Sequence, residues 1–392
     1  MDAVFIGLGS MLGAGVFAAF TPAAQAAGSG LLVGLVVAAV VAFCNATSSA
    51  QLAAVYPTSG GTYVYGRERL GEWWGFLAGW SFVVGKTASC AAMALTFAAY
   101  AAPGEWQKPL AVAAVVAIGA VNYLGVSKTA AVTRILVVIV AIALAVGIAA
   151  NASTGVELGG LDLWAAGPYG ILQSAGLLFF AFAGYARIAT MGEEVREPRR
   201  TIPRAIVLAL GIVIALYAIV AIVLLGALGP EALAATVTPL AVGPFADVVR
   251  IGAAAASLGA LLGLMAGIGR TTLAMARERD LPHWLAAVHP RFRVPHRAEL
   301  VLTLVVVGVV LVADVRGAIG FSSFGVLVYY FVANVAAYSQ GAGDRRYPRG
   351  VQVAGALLCA LLVVTLPLPS ILGGVAVIVA GIAYRAIRVR RS

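Results

Sequence analysis

Apolar runs of membrane length, separated by short polar or Gly- and Pro-bearing breaks, repeat along all 392 residues. Crossing a hydrocarbon core of about 30 Å takes roughly 20 apolar residues in a helix. Twelve such spans are predicted: 3–20, 30–55, 72–100, 108–124, 130–150, 170–190, 204–228, 244–274, 298–313, 317–339, 350–366 and 369–386. The first is interrupted at its centre by Gly9, Gly13 and Gly15. Lipid offers the backbone no hydrogen bonds, so a weakened helix at mid-depth is tolerable only where something polar will occupy it. The sixth span has a matching feature in Phe179-Phe180-Ala181-Phe182-Ala183-Gly184-Tyr185-Ala186, where small residues sit among aromatics.

Composition turns this pattern into a class. With 62% hydrophobic residues, 11% charged and a mean hydropathy of +0.99, the chain falls outside ordinary soluble globules and reads as an all-α, multi-pass membrane protein. Threading the spans from a cytoplasmic N-terminus puts 22 of the 26 Lys and Arg on the cytoplasmic side; only Lys108 and Arg316 fall outside, and Lys86 and Arg250 lie within helices. Both termini are then cytoplasmic in the plasma membrane. The net charge of +10 expresses topology and implies no nucleic-acid partner. Cys44, Cys90 and Cys359 all fall in predicted helices without a C-x-x-C or His-rich setting, so they read as buried and reduced. Ala24-Gln25-Ala26 after the first run imitates a signal-peptide cleavage site, but no basic segment precedes the run and its removal would invert the charge bias.

Two interrupted helices at corresponding places suggest two halves. Residues 1–151 (spans one to five) and 170–340 (spans six to ten) would form inverted repeats, because an odd number of spans makes the second enter from the opposite side; 350–392 adds two helices and a basic tail. Each glycine cluster has an alternative use, since small-x-x-x-small spacing such as Gly9-x-x-x-Gly13 also permits close helix packing without any ligand.

Four motifs in order resemble the amino acid–polyamine–organocation superfamily of permeases. They are Gly9-Ser10-Met11-Leu12-Gly13-Ala14-Gly15-Val16-Phe17; Tyr56-Pro57-x-x-Gly60-Gly61-x-Tyr63 with Gly75-Phe76-x-x-Gly79-Trp80; Phe180-Ala181-Phe182-x-Gly184-Tyr185 with Glu193-Glu194-Val195-x-x-Pro198-x-Arg200-x-Ile202-Pro203; and Ala276-Arg277-x-x-x-Leu281-Pro282 with His289-Pro290 and Pro295. The resemblance implies a leucine-transporter-like five-plus-five fold with broken helices one and six, and an amino acid as the small-molecule substrate. Its carboxylate would meet backbone N–H groups at Ala14 and Gly15, with Gly13 permitting the approach. Its ammonium would face carbonyls near Ser10, Met11, Phe180 and Ala183. The physics is compatible, because half-helix N-termini suit anions and half-helix C-termini suit cations.

By the same resemblance Phe180 is an aromatic gate over the substrate, and Ala181 and Ala183 leave room for a neutral side chain of moderate size. Ala14 stands where relatives often carry Ser or Thr, and Ala186 where they often carry Glu; the missing carboxylate disfavours basic amino acids and polyamines. The chain also begins without the basic segment that relatives carry before helix one, so its start reads as truncated. Lys86, near the middle of span three, is a charge at membrane depth and therefore a functional candidate. It is expected to bond carbonyls of the broken first helix and to couple transport to protons, the alternative being a structural pin. Some relatives place a lysine on helix five, where the aligned position here is about Ala141. Glu193, Glu194 and Arg200 form a candidate cytoplasmic gate at the end of span six, which Pro198 is expected to terminate. His283, His289 and His296 lie in a basic loop and suggest no metal, and no cofactor is called for. The helices lack the acid–base or nucleophile sets of an enzyme and the polar lining of a channel. The expected function is secondary transport of L-amino acids by alternating access, as a proton symporter or exchanger, with an exporter or a polyamine or organic-cation carrier as alternatives.

Overall fold

The computed structural model describes residues 2–57, 60–125, 130–189, 191, 195 and 197–389. Its helices are α1 (Asp2–Met11), α2 (Ala14–Ala18), α3 (Phe20–Ala27), α4 (Leu31–Val55), α5 (Thr62–Leu70), α6 (Glu72–Ala101), α7 (Gln107–Tyr123) and α8 (Ala130–Ala152). They continue as α9 (Gly167–Phe182), α10 (Ala186–Ala189), α11 (Pro198–Ala235), α12 (Ala246–Arg277), α13 (His296–Val312), α14 (Val315–Tyr338), α15 (Arg349–Thr365) and α16 (Leu368–Val389). Among the described residues eight helical stretches are long and apolar enough to cross a membrane, and Ala3–Ala18 and Arg349–Thr365 are shorter apolar helices. No strand occurs among the described residues, as expected of a chain whose backbone must satisfy itself within each segment.

Helix ends follow local chemistry. Asp314 caps α14 by accepting a 2.7 Å bond from the Gly317 N–H. Pro198 opens α11 instead of ending the sixth span, which stops earlier at Ala189. A first-turn proline needs no amide partner, so it serves as a start as readily as a stop. The seventh helix therefore runs Pro198–Ala235, longer at both ends than the predicted 204–228, with a bend where Gly229 takes φ 74° before Pro230.

Burial separates inner helices from outer ones. The most apolar windows of the Gly167–Ala189 stretch and of α14 are each 78% buried, and that of α6 is 67%, whereas those of α8 and α16 are 33% and 22%. The stretch with the small residues and aromatics is thus central, packed against α4, α3 and α14. A buried polar ladder ties α14 to α4, with Asn334 bonded to Asn45 (2.6 Å) and Ser48 (2.7 Å), and Gln51 to Gln340 (2.6 Å). Such bonds contribute only about 0.6 kcal/mol apiece between membrane helices, but they fix register. The three cysteines are buried and unpaired.

Candidate substrate site

The first span breaks where its glycines fall. α1 ends at Met11, Leu12 and Gly13 leave the helix, and α2 restarts at Ala14 with Gly13 (φ −89°, ψ −147°) at its N-cap. Having no side chain, Gly13 cannot cap the first N–H groups of α2. Ala19 joins α2 to α3 with helical backbone angles (φ −80°, ψ −22°) and a bond to Gly15 O (2.9 Å). The sixth span behaves differently: α9 tightens into a 3₁₀ turn over Ala183–Tyr185 and resumes as α10, with no open gap. The expected break in helix six is therefore a change of winding. Small residues remove bulk there without forcing the chain out of a helical path, and i→i+3 bonds keep most of the backbone satisfied.

The two irregular segments lie against each other. A Cβ on Gly184 would strike the Ser10 carbonyl and come within 2.7 Å of the Met11 nitrogen, and one on Gly15 would lie 2.6 Å from Ala181 Cα. Gly13 instead abuts α12, where a Cβ would meet Ala260 at 2.8 Å. Close packing and helix interruption, the two readings of these glycines, thus coincide. Met11, Gly13, Ala14, Gly15, Phe180, Ala181 and Ala183 are buried, while Ser10 and Gly184 are partly exposed. The Ser10 hydroxyl donates back to Ile6 O (2.8 Å) within its own helix. Phe180 packs in an apolar cluster with Cys90, Leu95, Leu261 and Met265. A crevice of about 20 Å³, room for one water, opens beside Gly9 and Leu12 against Thr133 and Ala260.

The carbonyls freed by these irregularities already hold donors, which sequence reasoning missed. The Tyr217 hydroxyl reaches Met11 O (2.6 Å) and Ala181 O (3.1 Å), and Tyr330 reaches Ala183 O (3.5 Å). Tyr100 bonds Phe17 O (3.0 Å) and Tyr65 bonds Ala189 O (3.2 Å). The available signal was chemical: a phenol hydroxyl in lipid needs an acceptor, and a carbonyl at a helix interruption is the more open one. Lys86 is buried, as a mid-span charge should be when paired with the interior, and its Nζ donates to Ala183 O at 3.4 Å. The acceptor is on the sixth span, where the first was expected. Ala141, the aligned helix-five position, is exposed on the surface of the bundle, so no side chain there could reach the site.

Glu193 and Glu194 lie outside the described residues. Arg200 is exposed and pairs with Glu197 at 3.9 Å, a surface contact worth little. A more substantial charge cluster gathers α5, α6, α16 and the end of α12. Asp280 is bound by Arg385, by Arg67 (3.3 Å) and by the Tyr63 hydroxyl (2.8 Å), and Glu72 pairs with Arg67 and Arg385 (both 3.3 Å). Asp280 and Arg385 are each about 5% exposed, and the guanidinium of Arg385 lies 5.0 Å from the rings of Trp73 and Phe76. Burial, followed by the bond to Asp280, raises the pKa of Tyr63 above its ordinary value.

Residues 1–386 match the family model described as amino acid permease. An uncharacterized transporter of Mycobacterium tuberculosis is 59% identical over 99% of this chain and 90% of its own length. The branched-chain amino acid permease BcaP of Bacillus subtilis is 26% identical over 76% of this chain and 70% of its own. The human cationic amino acid transporter 4 is 28% identical over 85% of this chain and 58% of its own. These are transporters, not enzymes. The apolar helices, the interrupted first span and the near-complete family match together make this chain a multi-pass member of the amino acid permease family.

Proposed function

We propose that the protein moves neutral L-amino acids across the plasma membrane by alternating access, driven by protons or by exchange. The observation that carries this reading is the non-helical Leu12–Gly13 step, flanked on one side by Ser10–Met11 packed against Gly184 of the 3₁₀ turn and on the other by Gly15 packed against Ala181. Two irregular backbones in contact inside an apolar bundle supply N–H groups on one side and carbonyls on the other, the pair of poles that a zwitterion requires. The substrate carboxylate would then lie at the start of α2, by Ala14 and Gly15, and its ammonium toward Met11 and Ala183, under Phe180. In this reading the eight long helices, together with Ala3–Ala18, α7, α13 and α15, would serve as twelve spans arranged as inverted repeats 1–151 and 170–340, with 350–392 appended. Cytoplasmic termini put the Asp280 cluster on the inner face, where its ion pairs suit an inner gate better than exposed Arg200 does. Lys86 is the coupling group, acting through Ala183 on the sixth span.

Uptake into proteoliposomes tests this, with a panel of amino acids inside and outside and with sodium and pH gradients imposed separately. Movement of neutral amino acids under a pH gradient or by counterflow is expected. A preparation that moves none of them under any gradient overturns the reading.

A further inference from the structure

Two carbonyls lose their helical partners at the site for different reasons. Met11 O would accept from Gly15 N if α1 continued, and the Leu12–Gly13 break removes that donor. Ala181 O would accept from Tyr185 N, but the 3₁₀ turn over Ala183–Tyr185 shortens the bonding there to i→i+3. A single side chain covers both. Tyr217, midway along α11 and 1% exposed, sets its hydroxyl 2.6 Å from Met11 O and 3.1 Å from Ala181 O. A phenol has one proton, so this is a shared bond whose strength depends on the separation of the two carbonyls. The ring has little freedom to follow either one alone, being held by Phe182 (centroids 5.0 Å apart) and Phe20 (6.3 Å, edge-on).

We infer that Tyr217 is a positioning residue for substrate binding, a clasp from the seventh span that fixes the distance between the C-terminal end of α1 and the sixth span. This rests on reading that region as the amino acid site. A neighbouring carbonyl held at fixed spacing is worth most to the group every substrate shares, its ammonium. The clasp therefore acts on affinity for all substrates alike, and has no bearing on side-chain choice.

Tyr217→Phe keeps the ring and deletes the hydroxyl. In proteoliposomes the expected result is a KM raised about tenfold, the factor for one lost hydrogen bond at the upper end of its range, with Vmax within about twofold. The factor should be the same for each amino acid carried. Equilibrium binding by calorimetry in detergent should shift equally, which keeps the test available if the variant reconstitutes poorly. A KM within twofold of wild type, with wild-type uptake intact, overturns the role of Tyr217 and leaves the transport reading standing; so does a lowered unfolding temperature with unchanged KM. Absence of both uptake and binding in the wild type overturns both.

Discussion

Replacing Asp280 by Asn tests whether the charge cluster holds α16 to the rest of the bundle. The change keeps the side chain's volume and removes its charge. Arg385, 5% exposed, then keeps Glu72 as its one carboxylate partner among the described residues, a side chain 66% exposed and largely screened, beside the rings of Trp73 and Phe76. Removing one partner of a buried ion pair costs about 3–5 kcal/mol, and the surviving contact to Glu72 argues for the lower end, about 3 kcal/mol. Spread over the unfolding entropy of 392 residues, that is a fall of about 4 °C in unfolding temperature. Helices that stay wound in detergent release less entropy, so the observed fall should be larger. Thermal unfolding of the purified protein measures it. The decisive form is a cycle with Arg385→Gln: once the arginine is gone, Asp280→Asn should cost markedly less than it does alone. Costs that add to within about 0.5 kcal/mol would mean the two groups do not interact, and the cluster would carry none of the stability assigned to it.

Gly15→Val should insert but lose uptake, because a Cβ there lies 2.6 Å from Ala181 Cα and must push α2 from the sixth span; full uptake would remove the proposed carboxylate site. The raised pKa of Tyr63 sets an alkaline dependence with a definite sign: its contribution is complete below the ordinary tyrosine value of about 10 and is lost as pH rises toward the folded value. Unfolding temperature should therefore fall above about pH 10, and Tyr63→Phe should flatten part of that fall; identical profiles for the two proteins would refute it.

Hydropathy made most of the architecture legible, since a helix in lipid must be apolar over its full length and loops need not be. The break at Gly13 was also legible, because three glycines in seven residues weaken a helix wherever it lies. The sixth span was harder: Ala183 and Gly184 suit a tight turn as well as an open one, and the winding was decided by what packs there, Gly184 against Ser10 and Met11. Pro198 reads equally as a stop or a start, and its position after Glu197 resolved the matter only in three dimensions. Tyr217 and Tyr330 look like ordinary aromatics in apolar runs until the carbonyls they serve are known. The charge cluster joins residues 105 and 213 positions apart, beyond any local pattern. Lys86 was visible as a charge out of place, but its acceptor was not.

That acceptor bears on coupling. A carbonyl has two lone pairs, and those of Ala183 face Lys86 at 3.4 Å and Tyr330 at 3.5 Å. Both bonds are long, so the oxygen is shared without being saturated, and a substrate ammonium that approached to ordinary hydrogen-bond distance would have to displace one of them. Tyr330 is held by Phe179, Tyr185 and Tyr329, whose ring centroids lie 5.1–5.8 Å away, whereas Lys86 sits on a flexible stem and carries a charge that repels the newcomer. On the proposed reading Lys86 is the group that would yield, since Tyr330 is the more tightly packed of the two. Under the proposed coupling, substrate entry and proton release would be one exchange at one oxygen. In Lys86→Ala the oxygen is open at every pH, so uptake should persist while its KM loses dependence on external pH; a pH dependence equal to that of the wild type would show that the lysine merely pins α6 to the sixth span.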